Sequence, residues 1–551
     1  MKISLLRLVL VLGIIMSAAP ESRSQAQAKY NDSPKLVVGI MVDQMRADYI
    51  RKYWDKFGDD GFRRLVNEGF TFTNNHFDYT PTATGPGHAS VYTGTTPAVH
   101  GVMGNSWYVR ELDKSINVIE VPGFKGVGSQ PGEEDNKGPG NVLTTTVGDE
   151  LRLHTNFRSK VIGISRKDRG AILPAGHTGQ AYWFEDASGN FVSSSYHMET
   201  LPGWVTSFNN QKLPAKYLKQ SWETLLPIEE YIESMPDDNL YEGLFKGSET
   251  PEFPYNLPEM MEKQGYGLGL ISGTPFSNDL VLDMAIAAIE GESLGSGDTP
   301  DMLAVSFSAT DAVGHQFGPA SIEVQDTYLR LDRTMARLLD YLDQNFGKDN
   351  VLLFLTADHA VAYVPDYLVS LGIPGGRFDS KAGIESLRTF LSEKYGEDLV
   401  LAFSNYGVFL NHAVMDQKGL DHEAVQKEVA RFMLSLDGVA GALTATALTN
   451  GQFTEGIQAR LQKGFNQKRS GDVYIWLEPH MTTGGSSRGT THGSPWTYDT
   501  HAPMHWYGFG VPAGSSSHPV KISDIASTVA TFLHSPFPSG NTGKPMNEYM
   551  R

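Results

Sequence analysis

Met302-Leu303-Ala304-Val305-Ser306-Phe307-Ser308 and, further on, Val351-Leu352-Leu353-Phe354-Leu355-Thr356 are short and almost wholly apolar. Runs of this length and composition read as strands buried on both faces, as a parallel sheet requires. Between them, from Ser321 onward, Val324, Tyr328, Leu331, Met335, Leu338 and Leu342 recur at steps of three or four, with acidic and basic residues on the other side. That spacing predicts an amphipathic helix. Strand, helix and strand in this order predict an α/β fold with a mostly parallel central sheet flanked by helices.

Working outward, 35–42, 160–165 and 400–409 have the same apolar character and are expected as further buried strands. Residues 170–290 are rich in Pro, Trp, Tyr and Ser and read as a cap inserted over the sheet; a second insertion is expected at about 365–480, with a helical pattern around 423–434. The Gly- and Pro-rich stretch 123–140 reads as a surface loop. Residues 29–551 are thus expected to form one domain with two insertions.

The bulk properties narrow the function. With 45 basic and 63 acidic residues the formal charge is −18, which argues against nucleic acid or an anionic membrane as a partner. An anion site in such a chain needs its own local positive charge, from Lys, Arg or metals. There is no cysteine, so thiolate metal sites and thiol nucleophiles are excluded. Lys2 and Arg7, the apolar run from Leu8 to Met16 and the small residues around Ala26-Gln27-Ala28 read as a secretory signal over residues 1–28. No later apolar stretch is long enough to span a bilayer, so export without stable membrane association is expected.

Three expected strands run into aspartates: Asp43 after Val42, Asp311 shortly after Ser308, and Asp358 after Ala357. Ligands of open α/β sheets bind beyond the carboxyl ends of strands. One such Asp is commonly a helix cap or turn residue; three point to a shared site. Asp311 stands four residues before His315, Asp358 is followed by His359, and His492 lies in Thr490-Thr491-His492-Gly493. Carboxylates and imidazoles together suit zinc. The sequence leaves His492 and His501 open as alternatives for the last ligand. The segment Pro81-Thr82-Ala83-Thr84-Gly85-Pro86-Gly87-His88 leads into an apparent helix at 89–92. A hydroxyl there, Thr84 ahead of Thr82, faces backbone N–H groups suited to phosphate, and a metal would activate it.

Asp43, the Thr84 segment, Gly101-Val102-Met103-Gly104-Asn105, Lys167-Asp168-Arg169, Asp311 with His315, Asp358-His359 and Thr491-His492-Gly493 together resemble the alkaline phosphatase superfamily, most closely its PafA-type, monoesterase-specific bacterial members. The resemblance implies two zinc ions per chain, one held by Asp43, Thr84, Asp358 and His359, the other by Asp311, His315 and His492. It also implies that a phosphate monoester passes its phosphoryl group to Thr84. Asn105, Lys167 and Arg169 would grip the oxygens that are not transferred. Two alternatives stand beside this reading. One is a phosphodiesterase or nucleotide pyrophosphatase on the same fold, which would lack the Lys-x-Arg pair. The other is a non-catalytic metal- or phosphate-binding protein.

Overall fold

The computed structural model describes residues 32–550 except 264 and 485; the expected signal segment, 1–28, lies outside the described residues. Five parallel strands form the heart of a ten-stranded sheet: β1 (Leu36–Val42), β2 (Val161–Ser165), β3 (Gln180–Glu185), β4 (Asp301–Phe307) and β5 (Val351–Thr356), in the spatial order β5-β1-β4-β2-β3. Every residue of β1, β2, β4 and β5 is buried, as strands covered by helices on both faces must be. The sheet is extended antiparallel on the β5 side by β6 (Met504–Gly508) and then Phe70–Phe72, and on the β3 side by Asn190–Ser194.

The helix expected after Ser321 is Ile322–Asn345; its first turn is capped by the Ser321 side chain, which accepts from the Val324 N–H. Before it, α3 (Ala309–Phe317) carries both Asp311 and His315. Two further helices abut the site: α1 (Thr84–Thr93), all ten residues buried, and α2 (Asp168–Ala175).

Three expectations need correction. The stretch 170–290 is not a single cap: α2, β3 and Asn190–Ser194 belong to the sheet layers, and Phe276–Glu292 packs on β4. Residues 195–273 carry only short helices outside the sheet. The run 400–409 is two antiparallel strands, Val400–Ser404 and Gly407–Leu410, of a separate four-stranded sheet completed by Val439–Thr444 and Val473–Leu477. Together with helices Ser380–Tyr395 and His422–Leu434, that sheet builds its own apolar core around Leu387, Val408, Val429, Met433 and Ile475 within the second insertion. The loop expected at 123–140 contributes a two-residue strand, Gly126–Val127, at the sheet edge.

Candidate active site

Four neighbouring parallel strands end on candidate residues. β1 delivers Asp43, β2 leads to Lys167, β4 to Asp311 and β5 to Asp358 and His359. Because these strands are adjacent and parallel, their carboxyl ends bring the side chains into one cleft. Thr84 enters from the side as the first residue of α1. Its predecessor Ala83 is the cap residue and offers no side-chain hydrogen bond, so Thr84 does not act as an N-cap. The next N–H, of Gly85, donates to Asn105 Oδ1 at 2.7 Å, which leaves the Asn105 amide nitrogen available to a ligand. At Gly87 a Cβ would lie 2.1 Å from the Asp358 carbonyl oxygen; only glycine lets α1 approach β5 this closely.

The Lys167 ammonium sits at the centre, 2.7 Å from Asp43 Oδ2, 2.5 Å from Asp311 Oδ2 and 3.5 Å from Thr84 Oγ1. Arg169 lies two residues on, its backbone N–H bonded to Asp168 Oδ1 at 2.7 Å. Asp43, Thr84, Asp358 and His359 are essentially inaccessible to solvent, and Lys167 and Asp311 nearly so.

The three histidines share one arrangement. His315 Nδ1 is 2.9 Å from the Thr490 carbonyl, His359 Nδ1 is 3.0 Å from that of Ala360, and His492 Nδ1 is 2.7 Å from that of Thr82. Each Nδ1–H therefore donates to backbone and turns Nε2 toward the carboxylates, the habit of metal-ligating imidazoles. His359 and His492 stack with ring centroids 3.4 Å apart. Burial holds the His359 ring at about 4; burial, with the neighbouring His359 and His315 rings, holds His492 well below the usual range, and His359 and His492 stay neutral. Burial and the Asp43 charge push Asp358 well above the carboxylate range. Burial would raise Asp311 too, but the charges of His315 and Lys167 hold it well below.

Two sets of ligand atoms converge within 4.8 Å: Asp43, Asp358 and His359, and Asp311, His359 and His492. His315 Nε2 adjoins the second, 3.1 Å from Asp311 Oδ1. His501 does not reach the cluster. It stacks on His76 and bonds the Thr73 carbonyl in a separate cavity, so of the two open alternatives His492 is the one at the site. Thr82 is turned aside, its hydroxyl 3.3 Å from the Ser494 carbonyl.

The sequence reading missed two neighbours. Gln44, in the left-handed region at φ +64°, donates its backbone N–H to Asp358 Oδ1 (3.2 Å) and its amide to Asp311 Oδ1 (2.7 Å), tying the two carboxylates together. His88 bonds the Thr84 carbonyl at 2.9 Å and Ser306 Oγ at 3.0 Å, fixing the first turn of α1 over β4. For His88 a signal was present, since it stands one helical turn beyond Thr84; for Gln44 only its adjacency to Asp43 pointed there.

Comparison with known proteins agrees with this geometry. The family model of type I phosphodiesterases / nucleotide pyrophosphatases matches residues 37–503. Alkaline phosphatase PafA of Elizabethkingia meningoseptica is 42% identical over 521 residues, 94% of each chain, and alkaline phosphatase PhoV of Synechococcus elongatus is 41% identical across the full length of both. A Myroides odoratus protein called a calcium-transporting ATPase is 43% identical over 94% of this chain and 95% of that one; no helix among the residues described here is long and apolar enough to cross a membrane. The crystal structure of wild-type PafA superposes with a TM-score of 0.90 at 41% identity, over 94% of this chain and 99% of that one. A crystallised PafA variant changes a Thr, an Asn, a Lys and an Arg separated by 21, 62 and 2 positions, the separations of Thr84, Asn105, Lys167 and Arg169. This chain belongs to the type I phosphodiesterase / nucleotide pyrophosphatase family of the alkaline phosphatase superfamily.

Proposed function

We propose that this protein is an exported, two-zinc alkaline phosphatase that hydrolyses phosphate monoesters through a phosphothreonine on Thr84. The observation that carries the reading is the convergence of the Thr84 hydroxyl, the Lys167 ammonium and three strand-end carboxylates in one buried cleft.

The donor set fits metal ions. Among the described residues, Asp358 Oδ2 and His359 Nε2 are buried without a hydrogen-bond partner, a costly arrangement unless a cation is bound. Asp43, Thr84, Asp358 and His359 would hold one ion, and Asp311, His315 and His492 the other. Imidazoles with carboxylates favour zinc over the harder cations that prefer all-oxygen shells. When bound, such ions ease deprotonation of the attacking hydroxyl and offset charge on the departing oxygen.

The chain's own residues do the rest. Thr84 Oγ1 forms a bond to phosphorus as the ester oxygen departs, and that oxygen leaves as an alcohol with a proton. Water then cleaves the Thr84 phosphoester, regenerating the hydroxyl and releasing inorganic phosphate. Asn105, Lys167 and Arg169 bind the oxygens that are not transferred, and positioned charge of this kind is the main protein contribution to phosphoryl transfer. A monoester dianion offers enough free oxygens for three such partners, whereas a diester has one of them blocked.

The family's own description favours the competing diesterase reading, whereas Lys167 with Arg169 supports the monoesterase one. Hydrolysis of para-nitrophenyl phosphate and its bis ester, with zinc present at alkaline pH, tests this. The wild type should prefer the monoester, and K167A and R169A should each lower monoester kcat/KM by about 10²-fold or more with a smaller effect on the diester. A wild-type preference for the diester would move the protein to the phosphodiesterase branch. No turnover of either would favour a binding protein.

A further inference from the structure

One turn of the second insertion packs against the segment that carries Asn105. Strands Val400–Ser404 and Gly407–Leu410 pair up to Ser404 with Gly407, leaving Asn405 and Tyr406 as a two-residue hairpin loop. Both have positive φ, +49° and +62°. Tight hairpins need this conformation and normally use Asn-Gly to obtain it. Asn tolerates it, but a tyrosine is strained there. Strain of this kind persists where surrounding contacts impose it, commonly beside a functional site.

The contacts are specific. Asn405 Nδ2 donates to the Ser106 carbonyl at 2.8 Å, and its amide lies over Gly104, where a Cβ would meet it at 2.6 Å. Asn405 therefore grips the residues on either side of Asn105. The strand that follows, Ser106–Val109, is fastened to the same insertion. The Tyr108 ring packs edge-on against Phe409 with centroids 5.3 Å apart, and Arg110 lies over Phe409 and bonds Asp472 Oδ2 at 2.6 Å. Tyr406 takes the other side: a Cβ on Gly493, next to His492, would lie 3.4 Å from its ring.

We propose that Asn405 is a positioning residue for the phosphoryl clamp. Held on one side by Gly85 N–H and on the other by Asn405, the Asn105 segment is fixed so that its amide nitrogen faces the phosphoryl group. The inserted domain thereby contributes to catalysis without touching substrate. This rests on the role assigned to Asn105 above.

The test is a double-mutant cycle. Glycine suits the left-handed turn, so N405G removes the amide while keeping the hairpin, and its Tm should match the wild type. In the otherwise native enzyme N405G should lower monoester kcat/KM about 10-fold, since small misplacements of clamping groups are costly. In an N105A background the same change should have no further effect. If N105A lowers activity but N405G does not, or if N405G lowers it equally in both backgrounds, the positioning role is wrong. If N105A itself changes nothing, the assignment of Asn105 falls first and this inference with it.

Discussion

The parallel core and the inserted four-stranded domain put similar apolar sequence to different uses. In the core, β1, β2, β4 and β5 each end at or within a few residues of a side chain in the cleft, so these four buried strands also aim chemistry. In the insertion, strands of similar composition close a private core around Leu387, Val429 and Ile475, and the turn Asn405-Tyr406 packs on the segments that flank Asn105 and His492. The chemistry follows from strand direction: the carboxyl edge of a parallel sheet gathers its strand ends, while an antiparallel sheet sends them both ways. The insertion can only brace what the core has assembled.

The largest test of this contrast is removal of the nucleophile. T84A should lower para-nitrophenyl phosphate turnover by about 10⁴-fold or more, as loss of a covalent nucleophile does elsewhere, whereas T82A should change it little. Stripping metal with a chelator should abolish activity and zinc should restore it; turnover that survives exhaustive chelation would contradict the metal assignment.

A core substitution in the insertion should act differently. Leu387 is completely buried, and L387A should cost about 2–4 kcal/mol in a denaturant titration through the cavity it leaves. Turnover of the folded fraction should stay near the wild-type value. If L387A reduced kcat as deeply as T84A, the division between aiming and bracing would fail.

The last effect expected is on acid stability. Burial holds His100 at about 3 and His505 at about 4, and both lie on the core side of the molecule. The unfolded chain protonates these rings near pH 6.5 while the folded protein leaves them neutral, so the unfolded state binds more protons in between. Stability is therefore complete above about pH 6.5 and is lost as pH falls through that window, toward 4 for His505 and 3 for His100, by at most about 1.4 kcal/mol per pH unit for each ring. H505N should flatten the fall of Tm with pH, and an unchanged slope would remove His505 from the account.

What could be read in the sequence follows the same division. The runs that became β1, β2, β4 and β5, and the helix after Ser321, were legible because apolar composition and helical spacing are local signals. So was the candidacy of Asp43, Asp311 and Asp358, which needs only their place after strands. The aromatic strand Gln180–Glu185 and its neighbour Asn190–Ser194 were mistaken for a cap because their Trp, Tyr and Ser content hid the sheet edge. The break at Asn405-Tyr406 was missed because the expected punctuation, a glycine inside the loop, stands one place later at Gly407. The choice of His492 over His501 depended on which loop folds back over Thr82, a long-range fact that nothing local records.

The most direct measurement is acid quench of the enzyme during turnover of a monoester, followed by mass spectrometry of its peptides. The account predicts one added phosphoryl group on the peptide containing Thr84, located on that residue and absent from T84A. Turnover with no phosphorylated Thr84, or phosphate found on another residue, would contradict it.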